Sequence, residues 1–414
     1  MSAFAYRDGT LHAESVALED VARRFGTPCY VYSRRALETN YRDYDAALGA
    51  RDHLVCYALK ANSNLAVLDV FARVGSGFDI VSGGELARVI AAGGDPRKVV
   101  FSGVGKSVTD IEAALDAGIL CFNVESAPEL DALQAIAARR RMRAPVSFRV
   151  NPDVDPRTHR YIATGLSESK FGVPFDQART LYRRAAGLSN IAVRGIDLHI
   201  GSQITVLEPY REAIVKVLDL VDALRREGIG LEHIDIGGGL GIRYRDETPV
   251  RLGDYSRMLA ALFDSRSERL LVEPGRRLVG DAGVLLTRVR YLKPGGERNF
   301  AIVDAAMNDL VRPALYAAWH AVDPVTPGDA QRHSWQIVGP ICESGDFLAE
   351  DRELALREGD LLAIRGAGAY GFVMSSNYNS RPRACEVMID GSAMHEVRAR
   401  ESVESLFAGE SRLP

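Results

Sequence analysis

The chain has 414 residues, 47% hydrophobic and 26% charged, with 51 Lys and Arg against 55 Asp and Glu for a formal charge of −4. That length suits two domains with a large core, and the near-balanced charge excludes a general attraction to nucleic acid. Five cysteines (Cys29, Cys56, Cys121, Cys342 and Cys385), odd in number, widely spaced and without a Cys-x-x-Cys pair, indicate neither a disulfide framework nor a zinc site, so no metal and a cytoplasmic location are the expectations.

The first thirty or so residues, including Cys29-Tyr-Val-Tyr32, read as strands that join a later β domain. Eight short runs rich in β-branched or aromatic residues follow, beginning with His53-Leu-Val-Cys-Tyr57, Phe78-Asp-Ile-Val-Ser82, Val99-Val-Phe-Ser-Gly103 and Cys121-Phe-Asn-Val-Glu125. The other four are Val146-Ser-Phe-Arg-Val150, Ile196-Asp-Leu-His-Ile200, His233-Ile-Asp-Ile236 and Leu270-Leu-Val-Glu273. Between them lie segments with helical spacing, such as Gly84 to Ala92, Val108 to Ala117, Ala127 to Arg140 and Tyr210 to Glu227. The basic run Arg139-Arg-Arg-Met-Arg143 closes one of these, where positive charge suits the helix dipole and reads as a solvated end.

Strand and helix alternating eight times fits a (β/α)8 barrel, and also an open doubly wound sheet. The polar residues decide between them. Lys60, His199 with Gly201-Ser202-Gln203, Gly237-Gly238-Gly239 and Glu273-Pro-Gly-Arg276 all stand at strand ends. A closed barrel gathers those ends on one face, whereas an open sheet spreads them along an edge. The reading is therefore α/β plus all-β, a (β/α)8 TIM-type barrel over residues 33–278 with a mostly β-stranded second domain from 1–32 and 279–414. Runs at Val284 to Tyr291, Asn299 to Asp304, Trp335 to Gly339, Leu361 to Arg365 and Glu386 to Ile389 supply that domain's strands. No stretch approaches the ~18 apolar residues of a membrane helix and the start carries no leader pattern, so no membrane partner is expected.

A lone lysine after a strand is ordinarily a solvated surface residue. Lys60 has company: Gly237, Gly238 and Gly239 follow a strand and offer either a tight turn or a bare cradle for a phosphate, and no Gly-x-Gly-x-x-Gly register points to a dinucleotide. A lysine able to form a Schiff base, a phosphate cradle and the Glu273 carboxylate are the minimum site for pyridoxal phosphate, whose ring nitrogen needs an acidic partner to stay protonated. His199 is flat enough to stack on such a ring, although a strand histidine alone is more often structural.

Tyr57-Ala-Leu-Lys-Ala-Asn62, His199-Ile-Gly-Ser-Gln203, Gly237-Gly-Gly239 and Glu273-Pro-Gly-Arg276 resemble the alanine-racemase-like, fold-type III pyridoxal-phosphate decarboxylases. Three segments of the second domain look like the diaminopimelate branch of that family: Asp304-Ala-Ala-Met-Asn-Asp-Leu-Val-Arg-Pro-Ala-Leu-Tyr316, Gly339-Pro-Ile-Cys-Glu-Ser-Gly-Asp346 and Gly366-Ala-Gly-Ala-Tyr370. The resemblance implies that Lys60 holds pyridoxal 5'-phosphate covalently, that Glu273 meets the ring nitrogen and His199 the ring face, and that Cys342 donates a proton. Thiols are mostly protonated at neutral pH, which suits an acid. Cofactor contacts are expected at Lys60, His199, Ser202, Gly237, Gly238, Gly239, Glu273, Gly275, Arg276 and Tyr370.

The implied reaction is decarboxylation of meso-2,6-diaminopimelate to L-lysine and CO2, the last step of lysine biosynthesis. Its substrate carries a second carboxylate and ammonium far from the reacting carbon. Arg276 and Arg312 can supply forked donors to that carboxylate, Tyr316 and Tyr370 hydroxyls, and Glu343 a partner for the ammonium. The family also implies a homodimer with active sites shared between chains. An alternative is decarboxylation of ornithine, arginine or a carboxylated polyamine on the same machinery. A catalytically silent homologue acting as a binding protein is a remote one, because Lys60, His199, Glu273, Cys342 and Tyr370 are all present. One departure from the family pattern is Ser102-Gly-Val-Gly-Lys-Ser107 after the third strand, whose effect on the nearby loop the sequence leaves open.

Overall fold

Eight strands of the chain pair in parallel and in chain order: β1 (His53–Ala58), β2 (Gly77–Ile80), β3 (Val99–Phe101), β4 (Cys121–Val124), β5 (Ala144–Asn151), β6 (Ile191–Asp197), β7 (His233–Asp235) and β8 (Arg269–Val272). β8 then pairs with β1, Leu271 opposite Leu54, which closes the barrel and excludes the open sheet. This computed structural model describes residues 3–156, 164–165 and 169–414. Two units divide it: Asn40–Ile242 with Thr248–Arg277, and Met1–Thr39 with Arg243–Glu247 and Leu278–Pro414.

The barrel strands are largely apolar because both their faces are covered, and the buried Phe78, Phe101, Phe122 and Phe148 contribute about 1.5–3 kcal/mol apiece through lost contact with water. Serines placed soon after β2, β3 and β4 start the helices that cover them. Ser82, Ser107 and Ser126 accept the N–H groups of Glu85, Asp110 and Glu129 at 3.2, 3.2 and 3.3 Å, satisfying donors that a helix start leaves orphaned. Among the described residues no helix is long and apolar enough to cross a membrane.

The unusual segment Ser102 to Ser107 is pinned from below. Lys106 has a fully buried side chain whose Nζ donates to Glu129 Oε1 at 2.7 Å and to the carbonyls of Gly103 and Asn123, both at 2.8 Å. Burial pushes the Glu129 carboxyl up, and the Lys106 charge opposes it. Lys106→Ala should therefore strand a carboxylate and cost about 3–5 kcal/mol. Thermal unfolding should register this as a fall in Tm of roughly 10 °C; an unchanged Tm would show that the pair is idle.

In the second unit the strand Cys29–Ser33 lies between Gly283–Lys293, antiparallel to it, and Cys385–Asp390, parallel to it. The sheet continues through Asn299–Val303, Arg332–Val338 and Phe347–Ala355 on one side and Ala393–Arg398 on the other. Leu11, Val21, Val31, Val284, Leu286, Val387 and Ile389 form its buried core. The N-terminal residues add a small three-stranded sheet of their own, Phe4–Arg7, Thr10–Ala13 and Val16–Ala17.

Candidate active site

Lys60 sits in a single 3-10 turn, Leu59–Ala61, directly after β1. Its Nζ donates to Asp79 Oδ2 at 2.6 Å, and Asp79 is wholly buried at the middle of β2. The amine is thus steered by a carboxylate that water cannot reach, unlike an ordinary surface lysine. Gly275 makes room beside it: a Cβ there would lie 3.0 Å from the Ala61 side chain.

His199 stands two residues beyond β6, half-buried. Desolvation, reinforced by the Arg149 and Lys60 charges, holds its imidazole well below its ordinary range, so the ring is neutral. Nδ1 accepts the Gly238 N–H at 3.2 Å, which places the ring proton on Nε2. A neutral, fixed, flat ring is the right object to lie against an aromatic cofactor.

The three glycines after β7 are demanded by packing. A Cβ on Gly237 would meet Leu198 O at 2.4 Å, on Gly238 Glu273 O at 2.1 Å and on Gly239 Gly201 O at 2.4 Å, and Gly237 and Gly239 take φ of +66° and +107°. Two of their N–H groups are already engaged, that of Gly237 with Asp235 Oδ1 at 2.8 Å and that of Gly238 with His199. Of the two readings, tight turn or phosphate cradle, the tight turn comes first: it locks His199 and Asp235, and its bare surface remains for close approach.

Glu273 directly follows β8 and is buried, with Asn123 Nδ2 at 3.4 Å from Oε1. Burial, and after it the neighbouring carboxylates Asp235, Asp79 and Asp197, drive it well above the usual carboxylate range. Arg276 is buried on the same set of loops and donates to the Ser202 hydroxyl at 3.0 Å. So this unit gathers Lys60, His199, Ser202, the three glycines, Glu273, Gly275 and Arg276 at the carboxyl ends of its strands.

The remaining expected residues lie in the other unit. Arg312 is buried at the start of a short helix, Arg312–Tyr316. His320 Nδ1 faces Arg365 O at 2.7 Å and so carries the ring proton, leaving Nε2 to accept from Arg312 Nη1 at 2.8 Å. The guanidinium also lies over the Tyr244 ring, 4.6 Å from its centroid. Cys342 and Glu343 are exposed. Their turn is nonetheless braced: Cys342 N–H donates to Asn379 Oδ1 at 3.1 Å, Tyr378 O–H to Glu343 Oε2 at 3.2 Å, and Ile341 N–H to Asp346 Oδ2 at 2.8 Å. Tyr316 is half-buried, as is Tyr370, which holds the left-handed φ of +55° that a bulky residue rarely adopts.

Residues 34–280 match the family described as pyridoxal-dependent decarboxylase, pyridoxal binding domain. The chain belongs to that family. Over the whole length of both chains it is 61% identical to the diaminopimelate decarboxylase of Pseudomonas aeruginosa. Two solved structures share its fold closely. The diaminopimelate decarboxylase of M. jannaschii in co-complex with L-lysine has a TM-score of 0.95 at 35% identity, covering 99% of this chain and 98% of that one. The Helicobacter pylori enzyme complexed with L-lysine has a TM-score of 0.92 at 40% identity, covering 94% and 98%.

The cofactor of this decarboxylase is pyridoxal phosphate, and the barrel residues fit it. At one pole a cation, Arg276, stands with a hydroxyl, Ser202, near bare glycines where side chains have no room. At the other, buried carboxylate oxygens such as Asp235 Oδ2 and Asp79 Oδ1 have no hydrogen-bond partner among the described residues, which invites a cationic ring nitrogen. Asp79, Asp197, Asp235, Asn123, Tyr244, His320, Tyr378 and Asn379 were not singled out by the sequence reading. For the three aspartates a signal exists, since each is an acid inside an otherwise apolar strand run. The others depend on contacts between distant segments.

Proposed function

We propose that the protein decarboxylates meso-2,6-diaminopimelate to L-lysine and CO2, the last step of lysine biosynthesis. The full-length likeness to a protein of that name, at 61% identity through both units, carries this reading. Formation of L-lysine from meso-diaminopimelate by the pure, cofactor-loaded protein tests it; a protein that releases no lysine from that substrate refutes it.

Pyridoxal phosphate, when bound, supplies the electron sink for the pair left behind by the departing carboxylate. The chain's residues do the rest. Lys60 Nζ, oriented by Asp79, would hold the cofactor covalently through its amine. Glu273 would keep the ring nitrogen protonated, His199 would meet the ring as a neutral imidazole, and Ser202, Arg276 and the glycine turn would receive the phosphate end. Arg312, preset by His320 and Tyr244, clamps the distal carboxylate, with Arg276, Tyr316 and Tyr370 assisting and Glu343 taking the distal ammonium. The Cys342 thiol then delivers a proton to the reacting carbon. The same reading places the enzyme in the cytoplasm, where Cys29 and Cys385, in register on neighbouring strands, stay as free thiols.

Its active sites are shared across a homodimer, Lys60 from one chain and Cys342 with Glu343 from the other. The support is that the braced Cys342 turn is exposed on its own unit, beside a Tyr378 ring that is 45% accessible. Mixing inactive Lys60→Ala and Cys342→Ala subunits should restore activity. With equal amounts, about half the dimers are mixed and each has one intact site, giving roughly a quarter of wild-type activity. No recovery after demonstrated exchange would put both residues of a site on one chain.

A further inference from the structure

Three strand ends point carboxyl groups at one another. Asp197 closes β6, Asp235 closes β7 and Glu273 follows β8, with one oxygen of each within 4.8 Å of the others and every side chain buried. Their hydrogen bonds are few. Asp235 Oδ1 takes the Gly237 N–H and Glu273 Oε1 faces Asn123, while Asp235 Oδ2 and Asp197 Oδ1 have no partner among the described residues.

The charges around them do not balance. Among the described residues Lys60 and Arg149 act on the triad as cations, but Lys60 is gripped by Asp79 and Arg149 lies 3.5 Å from Glu125, and both of those carboxylates add negative charge of their own. The thiols of Cys56 and Cys121 and, farther out, the phenols of Tyr44 and Tyr182 also face the triad and are neutral. Three anions in so small a dry space repel one another strongly, and such groups bind protons instead. Burial first and mutual repulsion second push Asp197 far up, and burial brings Asp235 to about 7.

We propose that Asp197 and Asp235 are positioning residues for the cofactor's ring nitrogen, acting through Glu273: the triad holds its protons in common, and Asp235 stays protonated in the loaded enzyme. On cofactor binding one proton moves, its bond to a Glu273 oxygen breaking as its bond to the ring nitrogen forms. Glu273 becomes the single anion against the pyridinium. The Asp235 proton stays and prevents a second negative charge from destabilising the first, so the floor of the barrel is self-buffered. This rests on the reading that Glu273 meets the ring nitrogen.

Infrared spectroscopy of the holoenzyme tests it, since a protonated carboxylic acid has a C=O stretch that a carboxylate lacks. The wild type should show such a band at pH 6, below the value of about 7 to which burial brings Asp235. Asp235→Asn should remove the Asp235 share of the band, leaving that of Asp197, and flatten the alkaline fall in cofactor affinity, and Asp235→Glu should restore both. A wild-type holoenzyme without the band overturns the proposal whether or not the variant folds, as does a band unchanged by Asp235→Asn. So does a divalent cation retained stoichiometrically by the purified holoenzyme, because the ion would then neutralise the triad. Glu273→Gln separates the two levels. If it leaves the cofactor's absorbance untouched, the role of Glu273 falls and the inference with it. If it alters the absorbance while the Asp235 band is absent from the wild type, that role stands and only the shared proton is lost.

Discussion

Lys60→Ala should lose on the order of 10³-fold or more of kcat/KM, because the residue that holds the cofactor is gone, and should melt at a lower temperature because the buried Asp79 loses its partner. Borohydride should fix the cofactor irreversibly to wild-type protein through its C=N bond, and the added mass should travel with the peptide containing Lys60. The steering contact fixes the amine at the end of β1: Asp79 Oδ2 lies 2.6 Å from Nζ and is sealed from water. A label on another lysine, or none in cofactor-saturated protein, sinks the assignment. It would also revive the reading of a silent homologue.

Arg312→Ala should leave cofactor binding intact and lower kcat/KM for diaminopimelate by roughly 30-fold or more. Truncating one partner of a buried, hydrogen-bonded charge pair costs about 2–5 kcal/mol, and each 1.4 kcal/mol is roughly tenfold. Arg312 is prepared for an anion in a way a structural arginine need not be: its guanidinium is held by a neutral His320 nitrogen and the Tyr244 face. A substrate without the distal carboxylate should lose little in the same variant. Equal losses for both substrates would show that Arg312 supports the fold and does not select the substrate.

The barrel was legible because its strands are buried on both faces and so read as eight apolar runs, with the polar residues displaced to their ends. The strand Phe347–Ala355 was not, since Phe-Leu-Ala-Glu-Asp-Arg-Glu-Leu-Ala is rich in residues that favour helices, and pairing with Arg332–Val338 overrides that preference. Val322–Pro324 and Ala393–Arg398 were missed for a related reason, being short and partly exposed. In the site, Lys60 and Glu273 announced themselves by position, whereas the partners that give them their chemistry sit on other strands. Gly237 and Gly238 illustrate the limit: the run of glycines was plain, but only the structure shows their N–H groups committed to Asp235 and His199.

The central claim is a choice of substrate, and CO2 release measures it most directly. Offered meso-diaminopimelate, ornithine, arginine and carboxynorspermidine separately, the pure holoenzyme should decarboxylate the first at a kcat/KM at least about 100-fold above any other, the discrimination expected of a site built to pair a distal carboxylate. Comparable or faster release from ornithine, arginine or the carboxylated polyamine would contradict the account.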